Sequence, residues 1–580
     1  MLRSDEPLQS IDPSEETLRL STQVTEQEIL TPSSRPSLLS FLSTIERFCA
    51  WLLNAIGDVL EEHRFLCWLL LAVLYVPVVL VEAHSHLLSN DEIYSVHIAQ
   101  APTLGRMLWM SRQIDLHPPL HYLLERATLH LDLPRWCAAR LPAMVAGLVT
   151  TCVIFYFMAC RLGNLFGLVS VTMFWFSSVR AFAWEGRPYM LWMCFLSLLL
   201  LSWERATTPR RRPAAVLAVF CCSFLMISNH LFGIACLIPF ALAEACRFWK
   251  RRRTDFALWL ALFLPASIGL FYFNPVHALG SNGFPTTQMP SLELVTNMYI
   301  ALVDNFYFTL SVCFVLVGYF AQVRKGEEQR PFQLRTDEGV LLYSLLLLPL
   351  AIVVAAAVAH VQFWYRYGAC AILAIALLAP WNLYRRLRSA YPFAVLVVLF
   401  LVASTICAII SDYPVQGTRS YGYKETGRQP IFLSQLDPSL PIVDASPMTF
   451  TEMSDREPPA IVDRVFYLTD RAEALRYSGY TLFETEDRTR EILGLPSHTA
   501  PLNEFLETHS RFYLIATYTS RHDWLPRALA DRGETIQYIG KFVSSYADDD
   551  LYFVSVNETG TSPLPEIPPL SIAAARAESH

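Results

Sequence analysis

The sequence predicts a polytopic α-helical membrane protein that ends in a small soluble α/β domain. Hydrophobic residues occupy 53% of the 580 positions, charged residues occupy 17%, and the mean hydropathy is +0.33. This composition is too apolar for a soluble multidomain chain. The long apolar runs lie between residues 65 and 411, whereas both ends of the chain are polar. A membrane core with two water-exposed ends follows from this distribution.

The polar beginning of the chain divides into two segments. Residues 1–40 are acidic and rich in Ser and Thr, unlike a signal or transit peptide, so we expect a disordered cytoplasmic leader. Over residues 41–64, apolar side chains such as Phe41, Ile45 and Phe48 recur every three or four positions. This period predicts an amphipathic juxtamembrane helix on the inner membrane surface.

The membrane core is predicted to cover residues 65–411 with about eleven helices of the length that a bilayer requires. A long loop, residues 84–140, follows the first of them. Basic clusters lie beside later spans, at Arg205–Arg212, Lys250–Arg253, Arg324–Lys325 and Arg385–Arg388. With the leader inside, alternate crossing puts every cluster on the cytoplasmic side, as the positive-inside rule requires. The 84–140 loop and the C-terminal domain then lie outside.

The C-terminal region, residues 412–580, alternates strand-like with helix-like segments. The strand-like segments surround Ile442, Val465, Arg511, Thr535 and Leu551. This alternation predicts an extracytoplasmic α/β domain. The domain has neither GxGxxG nor a Walker loop, so we expect no nucleotide site. A net charge of -7 lacks the basic excess of a nucleic-acid binder, and we expect no nucleic-acid partner.

Ionisable residues at the outer ends of the spans are the candidates for function, because charge at membrane depth is costly. Asp91 and Glu92 follow the first span by about ten residues, a position that suits a general base near the bilayer surface. They equally suit two carboxylates that stabilise a helix N-terminus after Ser89. Arg187 and Arg366 fit either a phosphate site or interfacial side chains that reach for water.

Three further residues leave alternatives open. Glu185 is a candidate catalytic acid or the ion-pair partner of Arg187. His117 and His121 are four residues apart, which would allow a shared metal on a helix. Interfacial hydrogen bonding is the other interpretation. We assign no metal site and leave open whether a divalent cation takes part.

The ordered motifs of residues 60–385 resemble a known family. They are Asn90-Asp91-Glu92, His117-Pro-Pro-Leu120-His-Tyr122, Arg140-Leu-Pro, Arg161-Leu-Gly, Glu185-Gly-Arg187-Pro-Tyr189 and Arg366-Tyr367. Together they resemble the RgtA/B/C/D-like branch of the GT-C glycosyltransferases. That branch is related to protein O-mannosyltransferases and to the aminoarabinose transferases that act on lipid A.

The resemblance implies a membrane glycosyltransferase that takes a sugar from a polyprenyl-phosphate carrier, with inversion, and passes it to an extracytoplasmic glycan, lipid or protein. It implies that Asp91 is the base and that Glu92 is its neighbour, which could instead orient the acceptor. The role of a second catalytic acid stays open, with Glu185 as the candidate. Arg187 and Arg366 would meet the carrier phosphate. The remaining motif side chains become candidates for substrate binding: His117, His121, Tyr122, Tyr189 and Tyr367.

The same logic predicts a bacterial inner membrane with the site facing the periplasm. An endoplasmic-reticulum membrane is the alternative, in which Asn557-Glu-Thr would be a lumenal sequon. Two other functions compete: a transporter or flippase, and a scaffold that displays the C-terminal domain. A transporter predicts charged groups at the midplane of repeated halves, whereas here they concentrate in the first outer loop.

Overall fold

The computed structural model describes residues 38–115, 117–208, 212–272, 295–300, 302, 334–359, 365–386, 391–412, 433–479, 481–495, 498–516, 523–543 and 548–556. The predicted leader, up to residue 37, and the Asn557 sequon lie outside these ranges. The chain divides into two units, Met1–Trp51 and Leu52–His580. The first unit contributes only the beginning of one helix to the description.

The membrane region is helical throughout its described part. Its helices are α1 Leu38–Glu62, α2 Arg64–Ser85, α3 Asn90–Ala99, α4 Leu104–Ile114, α5 Leu120–Leu129, α6 Arg135–Leu162, α7 Asn164–Trp175, α8 Pro188–Ala206, α9 Arg212–Asn229, α10 Leu237–Arg251, α11 Phe256–Phe263, α12 Thr336–Ala359, α13 Cys370–Arg386 and α14 Tyr391–Asp412. Short 3-10 helices cover Ser178–Ala183, Leu231–Gly233, Leu264–Tyr272 and Tyr365–Gly368.

Five described helices are long and apolar enough to cross a membrane, so the chain is an integral membrane protein. They are Arg64–Ser85, Arg135–Leu162, Arg212–Asn229, Leu231–Arg251 and Thr336–Ala357. Four shorter apolar helices accompany them: Asn164–Trp175, Phe256–Tyr272, Cys370–Asn382 and Val395–Ile406. The span expected near Tyr299 lies mostly outside the described residues. The total of about eleven spans therefore stays a prediction.

Helix α8 is the central element of the bundle and packs against α6 and α9. Its Trp192 and Trp203 are fully buried. The Trp203 indole donates to Glu244 Oε1 at 2.7 Å, which satisfies the polar atom of a buried ring. Pro188 begins the helix at a position where the missing backbone N–H costs nothing. The turn before α8 is thereby fixed against the core.

The Arg161-Leu-Gly motif forms the tight turn between α6 and α7. Gly163 has a φ of 98°, a conformation that favours glycine. A side chain there would collide with the Glu61 carboxylate. That carboxylate accepts hydrogen bonds from the backbone N–H groups of Asn164, at 3.1 Å, and Leu165, at 2.9 Å. Glu61 thus satisfies orphan donors at the start of α7.

The C-terminal region contains a six-stranded sheet flanked by short helices. Its strands are β1 Ile442–Asp444, β2 Val465–Thr469, β3 Thr499–Pro501, β4 Arg511–Ala516, β5 Thr535–Val543 and β6 Asp548–Ser555. Its helices are α15 Pro447–Arg456, α16 Pro459–Val462, α17 Arg471–Ser478, α18 Glu486–Leu493, α19 Leu502–Thr508 and α20 Leu525–Asp531. The five predicted strand segments are confirmed. Strand β3 has three residues, too short for an alternating pattern.

The strand order is β3-β2-β1-β4-β6-β5. Strands β1 to β4 pair in parallel, and the β5–β6 hairpin adds antiparallel strands at one edge. Alternate residues feed two apolar cores: Val443 and Leu514 face one, and Ile442 and Tyr513 face the other. Cores on both faces are expected where helices cover a parallel sheet.

Candidate active site

Asp91 lies in the first turn of α3 and is the exposed carboxylate of its motif. Its side chain is 43% exposed, and its Oδ2 lies 3.3 Å from Arg366 Nη1 and 3.7 Å from Arg187 Nη2. Two cationic groups therefore meet at one water-accessible carboxylate. Arg187 and Arg366, which the resemblance would place at one phosphate, thus both lie beside Asp91.

Arg187 is buried and held by several acceptors. Its guanidinium donates to both carboxylate oxygens of Asp115, at 2.8 and 3.0 Å. Nη1 also donates to the Asp91 carbonyl at 3.0 Å and to Ser95 Oγ at 2.8 Å. Burial by itself would raise the pKa of Asp115, but the charge of Arg187, with His117 adding to it, holds that pKa well below its usual range. Arg187 is therefore a fixed cation.

Glu92 differs from Asp91 because it is 1% exposed and fully engaged. Its two oxygens accept from Arg140 Nε and Nη2, both at 2.7 Å. They also accept from the backbone N–H groups of Gly186, at 2.6 Å, and Ser89, at 2.9 Å. A carboxylate with four donors has no room for a substrate proton in this arrangement. The geometry favours a structural role for Glu92 over the catalytic one expected from the motif.

The Glu185-Gly-Arg187 turn packs directly on Glu92. A side chain at Gly186 would lie 3.2 Å from both the Ala139 carbonyl oxygen and Glu92 Oε1, closer than ordinary contact. The absence of a side chain at Gly186 therefore lets the turn approach Glu92 and the Ala139 carbonyl closely. Burial, and then the Glu92 charge, raise the pKa of Glu185 to about 7, although Arg366 and Arg187 oppose the shift. A carboxyl that titrates near neutrality can exchange protons in catalysis.

The predicted binding residues His121 and Tyr122 lie under the surface. His121 is 1% exposed, and its Nε2 donates to the Gly186 carbonyl at 3.1 Å. Burial and Arg187 lower its pKa to about 3, so the ring is neutral. Tyr122 is fully buried and donates to Asp115 Oδ2 at 2.6 Å. Both side chains are buried and hold Gly186 and Asp115 in place by hydrogen bonds, and neither reaches a substrate in this arrangement.

The other predicted binding residues surround the arginines. His117 Nε2 lies 3.8 Å from Asp115 Oδ1, and burial lowers the pKa of His117 to about 4. Arg366 lies over the Tyr189 ring, 5.1 Å from its centre. Tyr367 follows Arg366 in the same 3-10 turn. Within the described ranges, no three His, Cys, Asp or Glu side chains are arranged to hold a metal ion.

The sequence motifs gave no role to Asp115, Arg140 or Ser95. Asp115 lies two residues before the His117 motif and Arg140 begins another motif, so a signal for both was present. Ser95 follows Asp91 by one helical turn and had no distinguishing signal.

The C-terminal domain also contacts α3. The Tyr94 hydroxyl donates to Glu486 Oε1 at 2.9 Å. His97 Nε2 lies 3.5 Å from Asp455, and Arg135 donates to both oxygens of that carboxylate at 2.8 Å. These partners are more than 300 positions apart in the chain, so no local pattern could have indicated them. The helix that carries Asp91 is held by both domains.

Comparisons with known proteins give structural similarity only. No family model and no curated protein matches the chain. The chain is similar to ArnT from Cupriavidus metallidurans in the apo state, with 14% identity and a TM-score of 0.43, covering 84% of this chain and 97% of that one. The chain is also similar to ArnT from the same organism bound to undecaprenyl phosphate, with 12% identity and a TM-score of 0.46, covering 85% of this chain and 99% of that one.

The oligosaccharyltransferase of Archaeoglobus fulgidus, in complex with zinc and sulfate, gives 12% identity and a TM-score of 0.36, covering 80% of this chain and 72% of that one. ArnT and the archaeal enzyme are GT-C superfamily members, the superfamily that the sequence motifs resemble.

Proposed function

We propose that this protein is a membrane glycosyltransferase that moves a sugar from a polyprenyl-phosphate carrier to an extracytoplasmic acceptor, with Asp91 as the general base. The observation that carries the proposal is the exposed Asp91 carboxylate between the guanidinium groups of Arg187 and Arg366. The ordered motifs of the GT-C resemblance support the same reaction class.

The reaction needs one base and fixed positive charge. Asp91 takes the proton from an acceptor hydroxyl or amine, whose oxygen or nitrogen then attacks the anomeric carbon. The bond between that carbon and the phosphate oxygen breaks, and the carrier phosphate leaves as an anion. Such a leaving group gains most from cations already in place. Attack opposite the leaving group inverts the anomeric centre.

The two arginines take different parts in this mechanism. Arg187 is 5% exposed and engaged with Asp115, so it orients Asp91 and supplies a fixed field. The side chain of Arg366 is 27% exposed and contacts Asp91 through one bond of 3.3 Å. Arg366 is therefore the better placed of the two to bind the carrier phosphate. When the donor arrives, Arg366 would leave Asp91 for the carrier phosphate, and the Asp91 carboxylate would be released.

A groove in the membrane region suits the carrier chain. It lies between α2, α7 and α14, with a mostly apolar lining that includes Leu74, Val78 and Leu401. Arg180 also lines the groove, in the 3-10 helix between α7 and α8. An apolar groove with a cation fits an isoprenoid phosphate.

The site faces the periplasm of a bacterial inner membrane in this proposal, because the positive-inside rule puts the 84–140 loop outside. In this setting the donor is a lipid-linked sugar, because nucleotide sugars are cytoplasmic. The acceptor class stays open among glycans, lipids and proteins.

The test is sugar transfer by the full-length protein in lipid nanodiscs, with a panel of undecaprenyl-phosphate sugars. We expect one donor to be turned over and Asp91→Asn to lower kcat by about 100-fold or more, with unchanged thermal unfolding and donor binding. Asp132→Asn is the control, since Asp132 is an exposed acid of the same loop. Equal activity of the Asp91 variant would move the base to Glu185. If no carrier sugar is bound or turned over, the transporter hypothesis replaces the enzyme.

A further inference from the structure

His230 carries a buried hydrogen-bond donor that the proposed mechanism does not use. The residue lies between α9 and the 3-10 helix Leu231–Gly233 and is 3% exposed. Its Nδ1 accepts the backbone N–H of Phe232 at 3.1 Å. A nitrogen that accepts must be unprotonated, so the proton of the neutral ring is on Nε2. Among the described residues Nε2 has no hydrogen-bond partner.

An unpaired buried donor is unusual, because leaving it unpaired costs free energy. The fold also holds His230 firmly in place. The neighbouring Asn229 donates through Nδ2 to the Pro188 carbonyl at 2.7 Å, which ties the end of α9 to the start of α8. The ring stacks on Trp192, with centres 5.6 Å apart. A rigid side chain with an unused N–H is the arrangement expected of a ligand contact.

The surroundings of His230 connect it to the candidate active site. Its ring centre lies 4.7 Å from that of His117, 5.5 Å from that of Tyr189 and 6.1 Å from that of Tyr367. Tyr189 is also the ring under Arg366. The Tyr189 ring therefore lies between His230 and the group assigned to the carrier phosphate.

The groups around His230 differ in chemistry from those of the proposed phosphate site. Arg187 and Arg366 supply charge, whereas His230 supplies a neutral N–H among aromatic rings. Apolar and aromatic walls with a few oriented polar groups are typical of pockets for small polar ligands. A sugar offers hydroxyl oxygens that accept such a hydrogen bond.

We infer that His230 is a donor-binding residue whose Nε2–H donates to a hydroxyl oxygen of the transferred sugar. This assignment rests on the proposed function and adds to it a residue that contributes to sugar recognition. A site built to pair with one substrate hydroxyl rejects donors that lack it.

Two substitutions separate this role from a structural one. In His230→Asn, the amide oxygen can take the place of Nδ1 and accept the Phe232 N–H, but the side chain ends short of Nε2. In His230→Gln, the amide reaches the position of Nε2 but cannot supply the same cap. If His230 binds sugar, the Asn variant raises the KM for the donor about tenfold with unchanged thermal unfolding, and the Gln variant keeps KM within about threefold. The reverse order overturns the assignment.

Binding measurements distinguish the sugar from the phosphate. Undecaprenyl phosphate without a sugar and its active glycosylated form are each titrated against the native protein and His230→Asn. Weaker binding of the glycosylated form alone supports the assignment. Equal weakening of both forms overturns it, since the contact would then be to phosphate. An active native protein with an unaffected Asn variant overturns this inference alone, whereas a native protein inert to every carrier overturns the proposed function as well.

Discussion

Arg187 donates two hydrogen bonds to the Asp115 carboxylate, at 2.8 and 3.0 Å, and its Nη2 lies 3.7 Å from the exposed carboxylate of Asp91. The pair joins the turn before α8 to the end of α4. Because Arg187 also donates to the Asp91 carbonyl, it fixes the backbone from which the proposed base projects. The position of the Asp91 carboxylate thus depends on an ion pair that takes no part in the proposed reaction.

Removal of the Asp115 charge is expected to destabilise this support. Asp115→Asn leaves the buried Arg187 without a full counter-charge, and breaking a buried pair costs about 3–5 kcal/mol. We expect a lower unfolding temperature together with a lower kcat/KM. Thermal unfolding and transfer kinetics in nanodiscs measure both, with Asp132→Asn as the control. A variant with the native unfolding temperature would show that the pair is not needed for the fold.

Two buried glutamates should respond to the same substitution by very different amounts. Glu92→Gln removes the charge that pairs with Arg140, at a cost of about 3–5 kcal/mol. Burial raises the pKa of Glu125 well above its usual range, so its carboxyl is already neutral. Glu125→Gln is therefore expected to change stability by less than about 1 kcal/mol. Comparison of the two unfolding temperatures tests this, and equal losses would contradict the assignment of the charged partner.

The contact between α3 and the C-terminal domain is expected to stabilise that domain and to support the helix that carries Asp91. Burial raises the pKa of Glu486 to about 7, and Tyr94 provides a hydrogen bond to its carboxyl. Tyr94→Phe leaves that buried group short of a partner, at a cost of about 1–3 kcal/mol. We expect faster proteolysis of the C-terminal domain and a reduced kcat.

The matched control is Tyr477→Phe, which removes a hydrogen bond to an exposed carboxylate, that of Asp531. The control should change neither proteolysis nor kcat. If both tyrosine variants behave alike, the buried contact has no special role in holding α3.

Glu185 predicts a pH dependence with a defined sign. Its pKa is about 7 in the folded protein against an ordinary value of 4.5. Between these values the folded state binds more protons than the unfolded state, so stability falls as the pH rises. Glu185→Gln should remove this loss, at most about 3 kcal/mol, and raise the unfolding temperature at pH 8 more than at pH 5.

The same substitution should remove an inflection near pH 7 from the profile of kcat/KM if Glu185 exchanges a proton in the reaction. Parallel pH titrations of native and variant protein give both readouts. An unchanged stability profile would mean that the Glu185 carboxyl ionises as it does in water.

Local patterns in the sequence were sufficient to predict the architecture and to identify the motifs. Apolar runs of bilayer length predicted α2, α6 and α12, and alternating segments predicted five strands of the terminal sheet. The order of the motifs along the chain pointed to Asp91, Arg187 and Arg366 as the residues of one site. These features were readable because burial in lipid or between sheet faces imposes a period on neighbouring residues.

Side-chain roles within the motifs depended on the tertiary structure. Asp91 and Glu92 are adjacent in sequence, yet one is 43% exposed and the other is buried against Arg140. The helical turn of about 100° per residue points neighbours in different directions, and only packing decides which one faces water. The contact of Tyr94 with Glu486 likewise joins segments 392 positions apart. The sequence by itself determined which residues could take part in chemistry, whereas the fold decided which of them are charged, exposed and able to meet a substrate.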